Sequence, residues 1–204
     1  MGFWKRNSYQ IMRLFVIQIG IAIFGLVLSF AVSTAFRDRD DSAALLFVSV
    51  FSVLFYLFIL YSVAWEIGGK DRLKLDAVHG KLHGGAGFVL ALFAEVPNFL
   101  FACLMLIGGI ISFSGSETAG ARTFAVGYLP ANFLESMYTG LIRKALNATH
   151  LVQDVSRSYY LVAGLFFLAA TLPAILVIGF AYWMGLNEKR IIPSAKKPNP
   201  GDKN

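Results

Sequence analysis

Apolar residues in this chain gather into four long runs, about Ile11–Phe36, Ala43–Trp65, Gly87–Phe113 and Tyr159–Leu186. At about 1.5 Å per helical residue, each run exceeds a hydrocarbon core roughly 30 Å thick and leaves room for tilt. Backbone polar groups in lipid must pair within their own segment, so runs of this length read as helices. Ser33-Thr34-Ala35 could serve a signal peptidase, but the first apolar stretch is too long for a signal core. The expected fold is therefore all-α and integral to the membrane. It is a four-transmembrane-helix bundle forming one domain over residues 1–190, followed by a disordered, basic cytoplasmic tail over 191–204.

The connections add detail. Arg37-Asp38-Arg39-Asp40-Asp41-Ser42 is short enough for a tight, solvated outer turn, with Ser42 placed to cap the second helix. The connection from Ser114 to Ser158 is the longest. Within it, Ala131–Ala148 places Phe133, Leu134, Met137, Tyr138, Leu141, Ile142 and Leu146 at spacings of three and four. Asn132, Glu135, Ser136, Thr139, Arg143 and Lys144 fall on the opposite face. This pattern predicts an amphipathic extracytoplasmic helix between spans 3 and 4, lying on the leaflet or lidding the bundle rather than re-entering it. Pro130 is placed to open that helix, and Arg143 and Lys144 suit its C-terminal end. Asn147-Ala148-Thr149 matches a glycosylation acceptor, which matters only in a eukaryotic source.

Composition agrees with lipid as the solvent: 57% of residues are hydrophobic and the mean hydropathy is +0.65. The net charge of +6 does not point to nucleic acid, because the 18 basic residues flank the apolar runs instead of forming one patch. Counting those outside the spans together with Arg13 at the start of the first, twelve fall on the side shared by both termini and six on the other. That bias places both termini in the cytoplasm, and Trp4, Tyr9, Trp65, Tyr182 and Trp183 would form an inner aromatic belt. Cys103 is the lone cysteine, so an internal disulfide and a cysteine-based zinc site are both excluded. His79 and His83 have helical ligand spacing, but Gly80, Gly84 and Gly85 disfavour a helix there and no third ligand is evident. No metal site and no cofactor are expected.

Among acidic residues, only Glu95 lies well inside a run. Counted from Gly87 it sits roughly 12 Å deep, and Gln18, counted from Ile11, roughly 10 Å deep, so the two share a level. Each lies on a stripe of small or polar residues: Gln18, Ala22, Gly25, Ser29 and Ser33 on the first helix, and Gly87, Ala91, Glu95, Asn98 and Ala102 on the third. Such stripes let helices approach closely in lipid, which predicts a first–third interface with Gln18, Glu95 and Asn98 facing inward. Pro97 should break the third helix beside Glu95, as Pro173 should break the fourth near Thr171. An ionised carboxylate at that depth costs on the order of 3 kcal/mol, and a protonated one bonded to Gln18 or Asn98 much less. Glu95, Asn98, Gln18 and Pro97 are thus the candidate intramembrane site, serving either a proton or cation or the packing of the helices.

Trp65-Glu66-Ile67-Gly68-Gly69-Lys70-Asp71-Arg72 reads as the end of the second helix: Gly68 and Gly69 suit a C-terminus, and Glu66 can pair with Lys70 if one turn persists. The functional alternative is a cytoplasmic docking surface made of Glu66, Lys70, Asp71 and Arg72. Together with the later Val96-Pro97-Asn98-Phe99, this segment resembles segments of uncharacterised multi-helix membrane proteins of Gram-positive, mostly gut, bacteria. The resemblance covers about a sixth of the chain, Trp65–Asn98. It implies a bacterial plasma membrane and carries over no activity and no site residues.

No Gly-x-Ser-x-Gly, His-Glu-x-x-His or phosphate-loop motif is present, and no second catalytic group stands beside Glu95, so no catalytic residue is assigned. The favoured reading is a non-catalytic accessory or assembly component of a membrane complex, its partners being the bilayer and a membrane protein or further copies of itself. The alternative is a small oligomeric proton- or cation-coupled transporter or channel using Glu95. A membrane-embedded enzyme comes third.

Overall fold

The computed structural model describes residues 3–36, 42–78, 84–149 and 157–189. The expected outer turn at 37–41, the histidines His79 and His83 and the basic tail at 191–204 lie outside the described residues. Helix α1 spans Phe3–Ala35 and α2 spans Ser42–Val78. The third apolar run is two helices, α3 (Ala86–Ala94) and α4 (Val96–Phe113), broken at Glu95. Next come α5 (Glu117–Leu134), a single 3-10 turn (Ser136–Tyr138) and α6 (Thr139–Ala148). The fourth run is also two helices, α7 (Arg157–Ala170) and α8 (Leu172–Leu186). Pro97 and Pro173 sit in the first turns of α4 and α8, where a missing N–H leaves no intrahelical bond unmade.

Among the described residues, four helical stretches are long and apolar enough to cross a membrane: Asn7–Ala35, Ala43–Lys74, Val96–Phe113 and Ser158–Leu186. Their outward faces are apolar as well. Phe30, Phe47, Leu100 and Leu176 are all exposed, an arrangement suited to lipid and costly in water. This is the build of a polytopic membrane protein. Helix α8 packs on α2 and α3, α7 packs on α4, and α1 lies against α2, α3 and the 3-10 turn.

Two expectations are corrected. The second helix does not end near Trp65; it runs through Gly68 and Gly69 to Val78. Both glycines lie within the helix, and Gly68 serves a close crossing. A Cβ on Gly68 would strike the carbonyl of Tyr182, and one on Gly185 the carbonyl of Trp65, so α2 and α8 cross with their backbones nearly touching.

The second correction concerns the expected amphipathic helix over 131–148, which is not one helix. Residues 131–134 finish α5, Pro130 lies inside α5 rather than opening a helix, and the chain turns at Glu135 before α6 begins. The cause is a glycine seam. A Cβ on Gly108 would lie 2.5 Å from the Phe124 nitrogen, and one on Gly127 would lie 2.7 Å from the Phe101 carbonyl oxygen. Gly120 faces Ser112 in the same way. As positions on α4 fall, their opposites on α5 rise, so the two helices are antiparallel and in van der Waals contact along their length. Continued toward the start of α4, this register brings Glu135 level with Glu95. Helix α6 then climbs back: Gly140 N donates to Ser49 Oγ at 2.6 Å, near the start of α2. Gly140, Ile142 and Leu146 are buried while Arg143 and Lys144 are exposed, so amphipathic spacing holds for α6 alone. Helices α5 and α6 form a hairpin that folds back into the bundle.

The seam makes a sharp stability prediction. Gly127→Ala, whose methyl would press on backbone, should destabilise by about 1–3 kcal/mol. Gly20→Ala, with open space around its Cα, should be neutral or gain up to about 1 kcal/mol from helix propensity. Thermal unfolding in mild detergent, read by surviving monodisperse protein, measures both; equal midpoints for the two variants would refute the seam.

Candidate functional site

The break between α3 and α4 turns the Glu95 side chain toward α1 and α2. Asn98, one turn on, donates Nδ2 to Glu95 Oε2 at 2.6 Å. Gln18 of α1 donates Nε2 to the same oxygen at 3.5 Å, and Tyr56 of α2 donates its hydroxyl to Oε1 at 3.2 Å. The carboxylate therefore ties three elements together, and all four side chains are no more than 2% exposed. Gln18, Glu95 and Asn98 come together at one level. Pro97 contributes through the helix break rather than by contact.

Two further residues join them. Tyr56 belongs to a buried stripe of α2, Ser49, Ser52 and Tyr56, with spacings of three and four. That spacing of the polar positions in the second run was the available signal. Glu135, which the amphipathic pattern put on a solvated face, is 2% exposed at the tip of the α5–α6 hairpin. It lies within electrostatic reach of Glu95, and Tyr138 lies within reach of both acids. Ser136, beside Glu135, donates its hydroxyl to the carbonyl of Ala22 and holds the tip against α1, where a Cβ on Gly25 would meet the backbone of Met137. The small stripe of α1 thus receives the hairpin tip at Ala22 and Gly25, while Ser33 stays exposed.

The two acids are treated differently. Glu95 accepts three hydrogen bonds. Both carboxyl oxygens of Glu135, together with Oδ1 of Asn98 and the hydroxyl of Tyr138, have no hydrogen-bond partner among the described residues. No lysine or arginine is among the described residues that are buried. Two carboxyl groups thus share an apolar interior without a cationic side chain. A cavity of about 240 Å³ between α5, α6 and α7 is lined in part by Asn132 and Thr139, which bracket the hairpin tip in sequence, with Arg143, Asn147 and Tyr159 also on its walls.

The candidate docking residues are engaged within the chain. Glu66 Oε2 pairs with Arg13 of α1 at 3.0 Å and Glu66 Oε1 with Lys70 at 2.5 Å. Asp71 accepts the Tyr182 hydroxyl at 3.0 Å, and Arg72 reaches the Leu186 carbonyl and Glu188, each at 3.4 Å. Trp65 Nε1 donates to the Lys189 carbonyl at 2.7 Å. This group holds α1, α2 and α8 together at the end of the bundle opposite the hairpin's base. No protein-family model, curated protein or solved structure matches the chain.

The different treatment of the two acids has a measurable consequence. Glu95→Leu strands three donors at about 1–3 kcal/mol each and should cost at least about 3 kcal/mol. Glu135→Leu removes a carboxyl group with no hydrogen-bond partner among the described residues and should be neutral or stabilising within about 1 kcal/mol. Thermal midpoints of the two variants in detergent decide this; an equal loss for both would show that Glu135 is held by bonds like those of Glu95.

Proposed function

We propose that this chain is a carrier or channel for a small cation, which binds at Glu95 and Glu135. The observation that carries the reading is the burial of two carboxyl groups, each 2% exposed, with no cationic side chain buried among the described residues. Acids inside a membrane domain that face the bundle interior mark ion pathways, because packing alone is met more cheaply by amides and hydroxyls. The helix break at Glu95 and the hairpin tip at Glu135 support the same reading, since transporters build ion sites where helices are discontinuous. A bacterial plasma membrane, cytoplasmic termini and a homo-oligomer complete the proposal. The oligomer follows from the small volume that so few helices enclose.

A second reading, a non-catalytic accessory component of a membrane complex, is supported by the three hydrogen bonds through which Glu95 joins α1, α2 and α4. In that case the carboxyl group fixes packing and no ion moves.

Reconstitution distinguishes them. Purified protein in sealed liposomes should pass protons or metal cations down an imposed gradient, and Glu95→Gln should abolish the flux while remaining monodisperse in detergent. Absence of flux from the wild-type chain across the ions tested rejects the carrier and leaves the accessory role, and undiminished flux through Glu95→Gln rejects Glu95 as the ion site.

A further inference from the structure

We propose that the buried site binds a divalent, oxygen-seeking cation (Mg²⁺, Mn²⁺ or Ca²⁺) between the carboxylates of Glu95 and Glu135, with Asn98 Oδ1 and the Tyr138 hydroxyl as neutral ligands. This deepens the cation reading above and relies on it for the location of the site, not for transport.

Four oxygen atoms carry the inference. Both carboxyl oxygens of Glu135, Oδ1 of Asn98 and the Tyr138 hydroxyl are all buried, and none has a hydrogen-bond partner among the described residues. Asn98 is 2% exposed and Tyr138 6%. The amide nitrogen of Asn98 is 2.6 Å from Glu95 Oε2, which keeps the amide oxygen close to that carboxyl group. The Tyr138 hydroxyl could donate to the Glu135 carboxyl group one turn away, yet those two groups are not hydrogen-bonded to each other. Glu135 and Tyr138 both feel the charge of Glu95, which places them in one electrostatic cluster, and buried oxygens left without donors are an arrangement that a cation can organise. Buried polar atoms left bare would each cost about 1–3 kcal/mol.

Charge selects the valence. Two carboxylates, with no lysine or arginine buried among the described residues, carry two negative charges, which one divalent ion neutralises. Donor type selects the element: the site offers oxygen only, with neither imidazole nor thiolate, and this favours hard cations over zinc or copper. Among the described residues, no three His, Cys, Asp or Glu side chains come together. Two carboxylates supplemented by neutral oxygens and water are enough for Mg²⁺ or Mn²⁺. A cavity of about 240 Å³ lies near the hairpin tip in sequence, its walls including Asn132 and Thr139 but none of the four proposed ligands. Arg143 on its wall is exposed, so water and salt screen its charge.

The test is direct binding of Mn²⁺ to the full chain in detergent, with free Mn²⁺ followed by electron paramagnetic resonance. The wild type should bind one Mn²⁺ saturably per chain, with Mg²⁺ or Ca²⁺ competing, and Mn²⁺ should raise its thermal midpoint. Glu135→Gln, folded by the same thermal criterion, should lose affinity by about tenfold or more, while Glu188→Gln at the far end should bind as the wild type does. Absence of saturable binding by the wild type up to millimolar Mn²⁺ overturns the proposal, as does undiminished binding by Glu135→Gln. Binding without flux keeps this site and removes the carrier. Proton flux that needs Glu95 but is accompanied by no Mn²⁺ binding keeps the carrier and removes this site.

Discussion

Close contact between the backbones of α4 and α5 is the constraint from which the rest of the architecture follows. Gly108, Gly120 and Gly127 remove the side chains that would hold the helices apart, so the two lie antiparallel with one register and no freedom to slide. In lipid there is little hydrophobic gain from bringing two helices together; what holds them is the packing that small residues permit. Once that register is set, the end of α5 must arrive beside the start of α4. A carboxyl group at position 135 is then delivered to the level of the one at 95. The hairpin tip is fastened from the other side by Ser136 on the Ala22 carbonyl and, further along, by Gly140 on Ser49.

How far this was readable from the residues depends on which periodicity each segment obeys. The four apolar runs declare themselves by length. Counting depth along ideal helices brought Gln18, Glu95 and Asn98 to one level, because a helical rise varies little over two or three turns. The breaks at Glu95 and Thr171 were equally legible, since proline's missing N–H acts locally. Tyr56 was not, because a tyrosine in an apolar run looks like filler until Ser49 and Ser52 are seen to share its face. Glu135 was misplaced for a different reason. Treating 131–148 as one helix carries a single phase through a segment that turns at 135, and a turn resets which residues face inward. Helix α5 escaped notice because its interior contains Thr118, Arg122, Thr123 and Pro130. The informative signal there was Gly120 and Gly127, seven apart on one face, which hydropathy does not weigh.

The same reasoning explains why Gly68 and Gly69 misled. Glycine after an apolar run ordinarily marks a helix C-terminus, where the backbone needs a left-handed residue. Here the helix continues, and Gly68 and Gly185 clear the way for the crossing of α2 and α8. The ion pairs around Glu66 then fasten α1 to α2, while Asp71 and Arg72 fasten α2 to α8. These contacts are partly exposed, so each adds little to stability. Their geometric effect is larger: they anchor one end of the bundle, while the hairpin, joined by short hydrogen-bonded contacts, organises the other.

Burial of Glu135 is costly, and that cost is itself informative. A leucine at this position would fill similar volume, and an amide could share in the network that already serves Glu95. The carboxyl group has neither a donor nor a counter-charge among the described residues, although Tyr138 stands close enough to interact with it. Packing cannot account for such a choice, because every packing role is met better by another side chain. Glu95 differs, since its three hydrogen bonds could have arisen for packing alone. The acid whose carboxyl group has no hydrogen-bond partner among the described residues therefore points to chemistry in this bundle more strongly than the one with three. The hairpin is the element that made its placement possible.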